Sequence, residues 1–462
     1  MTMKSVLKRV LKKIVPKESE RSEFSMIIEK TIKVAGKVLK NYDLEKTIAG
    51  SFIRDTWLAD KKEFDLFILF PENYSREELE KIGIKLGKKI IKNLNGKYEI
   101  AYAEHPYVRG KIGKFSIDIV PCYKVKSASQ IKSAVDRTPF HNQYIKDNLS
   151  PEMANEVRLL KQFCKAMDIY GSDIRTMGFS GYLCELLIIH YKTFENLIKA
   201  ASKWEFGEFI DIEKHCEIEK PQEYFKNQPL IVIDPTDPKR NVAAALSIEN
   251  FEKFVVKCKE FLRKPSIKFF EIKKVPITKK ALKINLKKRG TKLILIEFER
   301  PKVVDDILWS QMRKTANRIV NLLKENDFEV LDFAVWADDK KAYIIFEMKV
   351  WDLPILKKVI GPPLYSKKHS QQFIKKYGKR TYVENDRLIA EVKRKYRKCD
   401  RLLKDFLKDD AKLLIKRGVR SYVAKSISKR FKIFKKERDI EKIISKNIDL
   451  AIFLKKYFER NY

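Results

Sequence analysis

The chain has 462 residues, 44% of them hydrophobic and 11% aromatic, which is enough for two to four packed domains and excludes wholesale disorder. Lysine and arginine number 99 against 62 aspartate and glutamate residues, so the formal net charge is +37. This imbalance favours a polyanionic partner, with nucleic acid ahead of an anionic membrane. The alternative is a charge-rich solvated surface, but such surfaces usually mix both signs.

The cysteines and the apolar segments argue against two further classes of protein. Six cysteines are scattered without a C-x-x-C pair, so we expect reduced thiols in a cytoplasmic protein rather than a structural zinc site. No apolar run reaches the roughly 18–20 residues that a membrane span needs, and we predict no membrane contact. The first 20 residues have amphipathic helical spacing, but Pro16 and acidic residues follow at once. We therefore expect a packed or nucleic-acid-facing helix and not a targeting peptide.

Residues 1–150 have the pattern of an α/β unit. A helix over 19–40 is followed by a short strand through Ile48, which ends at Gly50 and Ser51 in a strand-to-helix turn. The apolar run EFDLFILF, residues 63–70, predicts a buried strand, and an amphipathic helix follows it. Residues 97–123 contain two or three strands around a turn at 110–113.

The rest of the chain divides by pattern into three further segments. Residues 151–265 are mainly helical, and residues 266–360 have the order β-α-β-β of a small antiparallel sheet with a helix, a ferredoxin-like shape common in RNA-binding domains. Residues 361–462 hold 31 lysines and arginines against 12 acidic residues. They predict a basic helical tail that contacts phosphates, the alternative being a solvated helical bundle. The predicted fold class is therefore multidomain α+β.

Three acidic residues on apolar strands form the candidate reaction centre. Side chains alternate along a strand, so Glu63 and Asp65 share one face of the run 63–70, and Asp118 interrupts the apolar run FSIDIVPCY. If these two strands are neighbours, the three carboxylates converge. Such a set holds two Mg²⁺ ions in enzymes that transfer phosphoryl groups in line, and Mg²⁺ prefers oxygen ligands. The alternative is that the acids form ion pairs with nearby lysine and arginine.

A Gly-Ser turn upstream adds a phosphate-binding element. Gly50 permits close approach of the backbone, while the Ser51 hydroxyl and exposed N–H groups can hold a β- or γ-phosphate. Arg54, about one turn later, can point at the same anion. A Gly-Ser dipeptide alone is uninformative, but its spacing to the acid-x-acid strand and to a third acid is specific.

This pattern resembles the nucleotidyltransferase superfamily typified by DNA polymerase beta. The sequence segments around it resemble those of the archaeal, class I CCA-adding enzymes (tRNA nucleotidyltransferases). The matching segments between residues 50 and 271 are, in order, GSFIRDTWLADKKEFDLFILFP, YAEHPYVRG, IDIVPCYKV, IKSAVDRTPFH, NEVRLLKQFCKAMDIYG, GFSGYLCELLI, DPTDPKRNVAAALS and PSIKFFE. The resemblance implies a polymerase-beta-like head with a mixed sheet. It also implies stepwise addition of C, C and A to the 3′ end of tRNA from CTP and ATP, with pyrophosphate released.

The resemblance also implies roles for single residues. Glu63, Asp65 and Asp118 would bind Mg²⁺, and Gly50, Ser51 and Arg54 would hold the triphosphate.

Four further residues fall at the nucleotide-binding positions of that family. They are His141, Lys161, Tyr170 and Arg240, the last reading the base edge alongside an RNA phosphate. The alternatives are an ordinary loop histidine, a solvated stripe with Arg158 for Lys161, helix-end packing for Tyr170, and a local cap for Arg240.

The implied partners are the 3′ end and the acceptor/TΨC arm of tRNA, together with ATP and CTP, and a homodimer stays open. Two other functions remain in competition. A poly(A) polymerase or an oligoadenylate synthetase-like enzyme would share the acids and differ in base choice. A non-catalytic RNA-binding relative would keep the fold alone.

Overall fold

The computed structural model describes residues 2–102, 104–215 and 220–459. Contacts divide the chain into two compact units, with the boundary after Lys273. This boundary lies close to residue 266, where the third predicted segment begins, whereas the finer division into four segments stays a prediction. No helix in the described part of the chain is long and apolar enough to cross a membrane.

The amino-terminal part of the first unit is a mixed sheet with helices, as predicted. Its elements are α1 (Met3–Ile14), α2 (Glu18–Leu39), β1 (Glu45–Ala49), β2 (Glu63–Phe70), α3 (Arg76–Asn93), β3 (Lys97–Tyr102), β4 (Pro106–Ile112), β5 (Phe115–Tyr123) and α4 (Thr138–Asn148). The sheet order is β1-β2-β5-β4-β3, and β2 runs parallel to β5 while the other neighbours are antiparallel.

The two faces of β2 have different surroundings, which follows from the alternation of side chains along a strand. Phe64, Leu66, Ile68 and Phe70 are buried in a core shared with α2 and α3. The acids Glu63 and Asp65 belong to the opposite face, so the sheet core holds β2 in place and leaves this face for chemistry.

The prediction that a helix follows the turn at Gly50 and Ser51 is wrong. Residues 51–55 form turns instead of a helix, and the amide of Thr56 donates to the Ser51 carbonyl oxygen at 2.8 Å. Asp55 has a φ of 49°, a left-handed conformation that a right-handed helix cannot include. The chain therefore stays irregular between β1 and β2.

The second part of the first unit is mainly helical, as predicted. Its elements are α5 (Pro151–Ala166), α6 (Gly181–Tyr191), α7 (Phe194–Ala201), β6 (Glu208–Ile210), α8 (Pro221–Tyr224), β7 (Leu230–Asp234), β8 (Asp237–Asn241) and α9 (Ile248–Arg263). Strands β6, β7 and β8 form a small sheet. Val6, Val10 and Ile14 of α1 are buried in the same hydrophobic core, which confirms the packed amino-terminal helix.

The second unit is built around an antiparallel sheet. Its elements are α10 (Lys279–Arg289), β9 (Lys292–Glu299), α11 (Asp305–Glu325), β10 (Glu329–Ala337), β11 (Lys341–Val350), β12 (Leu356–Pro363), α12 (Lys367–Tyr377), β13 (Thr381–Glu384), β14 (Arg387–Lys393), α13 (Cys399–Leu407), α14 (Ala411–Lys416), α15 (Ser421–Ile427), β15 (Phe431–Phe434), α16 (Glu437–Lys446) and α17 (Ile448–Phe458). The order β9-α11-β10-β11 matches the predicted β-α-β-β segment.

The basic tail contains the predicted helices together with strands that the sequence pattern did not indicate. β13 and β14 form a three-stranded sheet with β12, and β15 extends the main sheet to the order β10-β11-β9-β15. Only Leu388, Ile389 and Ala390 of β14 are buried, too short a run to show an alternating pattern. The tail therefore supplies the last strand of the main sheet of the second unit.

Candidate active site

The pairing of β2 with β5 brings two of the three predicted acids together. Asp65 lies directly opposite Asp118 in the parallel register, and Glu63 lies opposite Ser116. Ala49, the last residue of β1, is the partner of Asp65 on the other side. The backbone therefore places the two aspartates on adjacent strands, next to the start of the Gly-Ser turn.

Gly50 lies against this carboxylate pair. Its φ is +101°, a conformation that favours glycine, and a Cβ atom added there would lie 3.2 Å from Oδ2 of Asp65. A side chain at this position would therefore crowd the carboxylate. Ser51 follows directly, so the turn lies next to Asp65, and its predicted contact with a phosphate stays a prediction.

The surroundings of Asp65 disfavour a negative charge on its carboxyl group. Burial, together with the charges of Asp118 and Glu63, raises the pKa of its carboxyl to about 7. Within the described ranges, no lysine or arginine forms an ion pair with Asp65. A cation bound here would relieve this cost.

The other two acids have cationic partners. Arg109 of β4 lies opposite Asp118 and donates to both of its oxygens, from Nε to Oδ1 at 2.9 Å and from Nη2 to Oδ2 at 2.8 Å. Lys61 forms an ion pair with the half-exposed Glu63. The ion-pair alternative thus holds for two of the three acids.

The donor set fits a divalent metal ion by its chemistry, although the side chains are not gathered around a common point. The ligands are all carboxylate oxygens, and the partly buried Asp65 has no ion-pair partner in the described part of the chain. Among the described residues, however, no group of three or more histidine, cysteine, aspartate or glutamate side chains is arranged to hold a metal. Asp118 and Glu63 would have to turn away from Arg109 and Lys61.

Arg54 and Lys161 meet at one buried carboxylate that the sequence analysis did not single out. Glu185 of α6 is fully buried, with Arg54 Nε 3.1 Å from Oε2 and Lys161 Nζ 3.0 Å from Oε1. Burial alone would raise the pKa of Glu185, but the two cations hold it below its ordinary value. Arg54 also donates from Nη1 to Asn142 Oδ1 at 3.0 Å.

Lys161 is buried, and its solvated-stripe alternative is therefore wrong. Both Lys161 and Arg158 are 1% exposed. The Lys161 ammonium also donates to Thr56, to Oγ1 at 2.9 Å and to the carbonyl oxygen at 3.2 Å. Burial lowers the pKa of Lys161 despite the attraction of Glu185. Its immediate contacts are with protein, and its predicted contact with nucleotide stays untested.

Tyr170 lies beside the same cluster. It forms an isolated bridge with Phe179, and the ammonium of Lys61 lies 5.9 Å from the centre of its ring. Burial raises the pKa of its hydroxyl well above the ordinary value, and the nearby charges of Glu185 and Glu63 act in the same direction. Tyr170 therefore lies near both Glu63 and Glu185, and its hydroxyl stays protonated.

His141 and Arg240 meet at a second buried carboxylate, Asp234, the last residue of β7. His141 Nε2 lies 2.9 Å from Asp234 Oδ2, and Arg240 Nη1 lies 2.6 Å from the same oxygen. His141 also stacks on Tyr182, with ring centroids 4.0 Å apart. His141, Tyr182 and Arg240 line a cavity of about 1110 Å³, together with Arg137. The residues predicted from the sequence therefore lie in three places. Glu63, Asp65 and Asp118 form a carboxylate face on β2 and β5. Arg54 and Lys161 surround Glu185, and His141 and Arg240 line this cavity.

Three residues that organise the site were missed. Glu185 is a lone acid in the apolar helix YLCELLII, and Asp234 ends the apolar strand LIVID. Both repeat the signal that identified Asp118, a carboxylate embedded in an apolar run. Arg109 gave no comparable signal, because its partner is set by strand pairing.

Comparison with known proteins gives consistent matches along the chain. Residues 29–141 match a nucleotidyltransferase domain, residues 155–271 match the second domain of tRNA nucleotidyltransferase, and residues 289–436 match the C-terminal domain of CCA-adding enzymes. The CCA-adding enzyme of Methanocaldococcus jannaschii is 40% identical over 415 residues, covering 88% of this chain and 91% of its own. That of Methanosarcina mazei is 39% identical and covers 97% of both chains. The chain belongs to the CCA-adding enzymes.

Membership of this family agrees with the site described above. Nucleotidyltransferases use divalent metal ions and nucleoside triphosphates, and the carboxylate face and the cationic clusters are suited to both. The CCA-adding enzyme of Archaeoglobus fulgidus, 37% identical over 86% of this chain and 87% of its own, belongs to the same group. The resemblance stated from the sequence is confirmed.

Proposed function

We propose that this enzyme adds C, C and A in turn to the 3′ end of tRNA, using CTP and ATP and releasing pyrophosphate. The observation that carries the proposal is the likeness to CCA-adding enzymes along nearly the whole chain, together with the Asp65–Asp118 pairing of β2 and β5. The competing poly(A) polymerase would share the acids, but the matches over 155–271 and 289–436 name tRNA nucleotidyltransferases and CCA-adding enzymes.

Asp65, Asp118 and Glu63 would hold Mg²⁺, the divalent ion suited to a ligand set of oxygens alone. When bound, the metal would acidify the attacking RNA hydroxyl and neutralise charge on the triphosphate. Asp65 contributes a partly buried carboxylate that forms no ion pair with any residue the structure describes. Arg109 holds Asp118 as its cross-strand neighbour, and we expect it to release or share that carboxylate when the site is loaded.

The triphosphate would lie along the Gly-Ser turn. Gly50 and Ser51 supply backbone N–H groups and a hydroxyl, and Arg54 supplies a cation that Glu185 and Asn142 already orient. Lys161 and Tyr170, whose side chains lie next to Gly181 at the start of α6, would complete this side of the nucleotide site. The base would enter the cavity at His141 and Arg240, because a guanidinium group suits a base edge.

The basic second unit would bind the acceptor/TΨC arm of tRNA. Residues 361–462 contain 31 lysines and arginines against 12 acidic residues, which favours contact with phosphates. A cytoplasmic location and the four-segment division are further expectations from the sequence, and a homodimer stays open.

The test is incubation of the enzyme with tRNA ending at the discriminator base, CTP, ATP and Mg²⁺, followed by sequencing of the products. We expect C, C and A to be added in that order and then to stop. Long A tails without two preceding C residues would contradict the proposal and favour a poly(A) polymerase.

An inactive variant separates catalysis from binding. We expect Asp65→Ala to abolish transfer and leave tRNA affinity nearly unchanged, while Glu45→Ala, an exposed acid paired with Lys124, retains activity. Equal activity of Asp65→Ala and wild type would remove the metal mechanism. Absence of transfer by the wild type would favour a non-catalytic RNA-binding protein.

A further inference from the structure

Asp234 is a charged group buried where a charge is expensive. All five residues of β7, Leu230–Asp234, are buried, and Asp234 itself is 0% exposed. Removing a carboxylate from water costs several kcal/mol unless other groups compensate it. Asp234 must therefore be stabilised by its contacts, and those contacts indicate what the residue does.

The two carboxylate oxygens of Asp234 accept hydrogen bonds from different donors. Oδ2 accepts from His141 Nε2 at 2.9 Å and from Arg240 Nη1 at 2.6 Å. Oδ1 accepts from the Tyr182 hydroxyl at 3.2 Å, and from the Thr236 amide and hydroxyl at 3.0 and 2.9 Å. One oxygen is thus fixed by its surroundings and the other holds two side chains of the cavity wall.

The hydrogen-bond donors around Asp234 affect its pKa more strongly than burial does. Burial alone would raise the pKa of Asp234, but the hydrogen bond and charge of His141, followed by Thr236 and Arg240, hold it well below its ordinary value. Asp234 is therefore ionised at any working pH and does not exchange protons with a substrate.

The contacts leave defined groups of both partners available. Arg240 uses Nη1 on Asp234, so Nε and Nη2 can still donate, and its side chain is 34% exposed at the cavity. His141 uses Nε2 on the carboxylate, so Nδ1 is the ring nitrogen left for another partner. Tyr182 holds the plane of this ring by stacking at 18°. The two groups that would meet the base have fixed directions.

We propose that Asp234 is a positioning residue for base selection, which fixes Arg240 and His141 and does not itself touch the nucleotide. Asp234 is not among the residues that line the cavity, whereas His141 and Arg240, the two side chains bound to its Oδ2, are. The inference rests on the proposed function, because it assumes that the cavity receives the base of CTP or ATP. A guanidinium group discriminates base edges only when its donors point in one direction.

The test is steady-state kinetics of Asp234→Asn with CTP and with UTP, on tRNA ending at the discriminator base. The variant keeps the size of the side chain and removes the charge that orders Arg240. We expect the preference for CTP over UTP to fall about tenfold, KM for CTP to rise about tenfold, and kcat to change by less than about threefold. An unchanged preference would overturn the proposal.

A double variant distinguishes positioning from an independent role. If Asp234 acts through Arg240, Asp234→Asn in an Arg240→Ala background should change base preference less than about twofold beyond Arg240→Ala alone. Independent effects that multiply would contradict this.

The matched control is Glu347→Gln. Glu347 is likewise a fully buried carboxylate, held by Arg289, Thr291 and Tyr457. We expect its removal to lower thermal stability without changing base preference. A comparable loss of preference in Glu347→Gln would assign the effect to general destabilisation and overturn the proposal.

Thr236→Val decides the question if Asp234→Asn fails to fold. It removes only the hydroxyl that anchors Oδ1 and lies outside the cavity lining. We expect base preference to fall two- to fourfold, and no change would overturn the proposal. Failure of the proposed function is a separate result, since the wild type would then not add CTP at all.

Discussion

Asp65→Asn should make the metal-free protein more stable at alkaline pH. The structure places Asp65 in a partly buried position beside Asp118, with its pKa raised from 3.8 to about 7. Ionised Asp65 therefore penalises the folded state, and asparagine removes that charge at nearly the same volume. A residue that the proposed reaction needs is thus predicted to weaken the fold without its metal.

The magnitude follows from the difference between the two pKa values, which corresponds to about 4 kcal/mol as an upper limit. The sign is fixed because the folded-state pKa lies above the unfolded value. The stabilising contribution of the protonated carboxyl is fully present below about pH 4 and is lost as pH rises through about 7. The variant should therefore match wild type near pH 4 and exceed it by up to about 4 kcal/mol at pH 8.

Urea unfolding in EDTA at several pH values between 4 and 8 measures this difference. Comparison with the variant cancels the titration of the other carboxylates, and Glu45→Gln is the control for an exposed acid, which should shift stability by no more than about 1 kcal/mol. Parallel pH profiles for wild type and Asp65→Asn, or a less stable variant at pH 8, would refute the reasoning.

Three further outcomes are expected. Glu185→Gln leaves Arg54 and Lys161 without their shared counter-charge, so the free energy of unfolding in urea should fall by about 3–5 kcal/mol, and a change below about 1 kcal/mol would contradict the buried cluster. Glu347→Ala should lose a similar amount because it strips Arg289 and Tyr457 of their acceptor, and equal denaturation midpoints would argue against it. The dissociation constant for tRNA should rise at least about tenfold between 50 and 200 mM salt, and replacing the exposed Lys368, Lys375 and Lys379 with glutamine should reduce that rise, whereas salt-independent binding would exclude a tail that contacts phosphates.

The faces of β2 could be predicted because strand alternation is a local property. Phe64 and Leu66 enter the core and Asp65 the other face wherever the strand lies in the sheet. The pairing of β2 with β5 is different. These strands are more than 40 residues apart in sequence. The convergence of their carboxylates could therefore be predicted only on the condition that the two strands are neighbours.

The partners of the charged residues could not be predicted, because each is set by long-range packing. Arg109 reaches Asp118 through the β4–β5 pairing, and Glu185 gathers Arg54 and Lys161 from two separate segments. With 99 basic residues in the chain, composition cannot select the cation that meets a given acid.

The most direct test of the central claim is a crystal structure of the enzyme with CTP and Mg²⁺. The account predicts Asp65 and Asp118 carboxylate oxygens about 2.0–2.1 Å from a shared metal ion, with the triphosphate against Gly50 and Ser51. A metal ion bound elsewhere, with Asp118 still held by Arg109 on both oxygens, would contradict it.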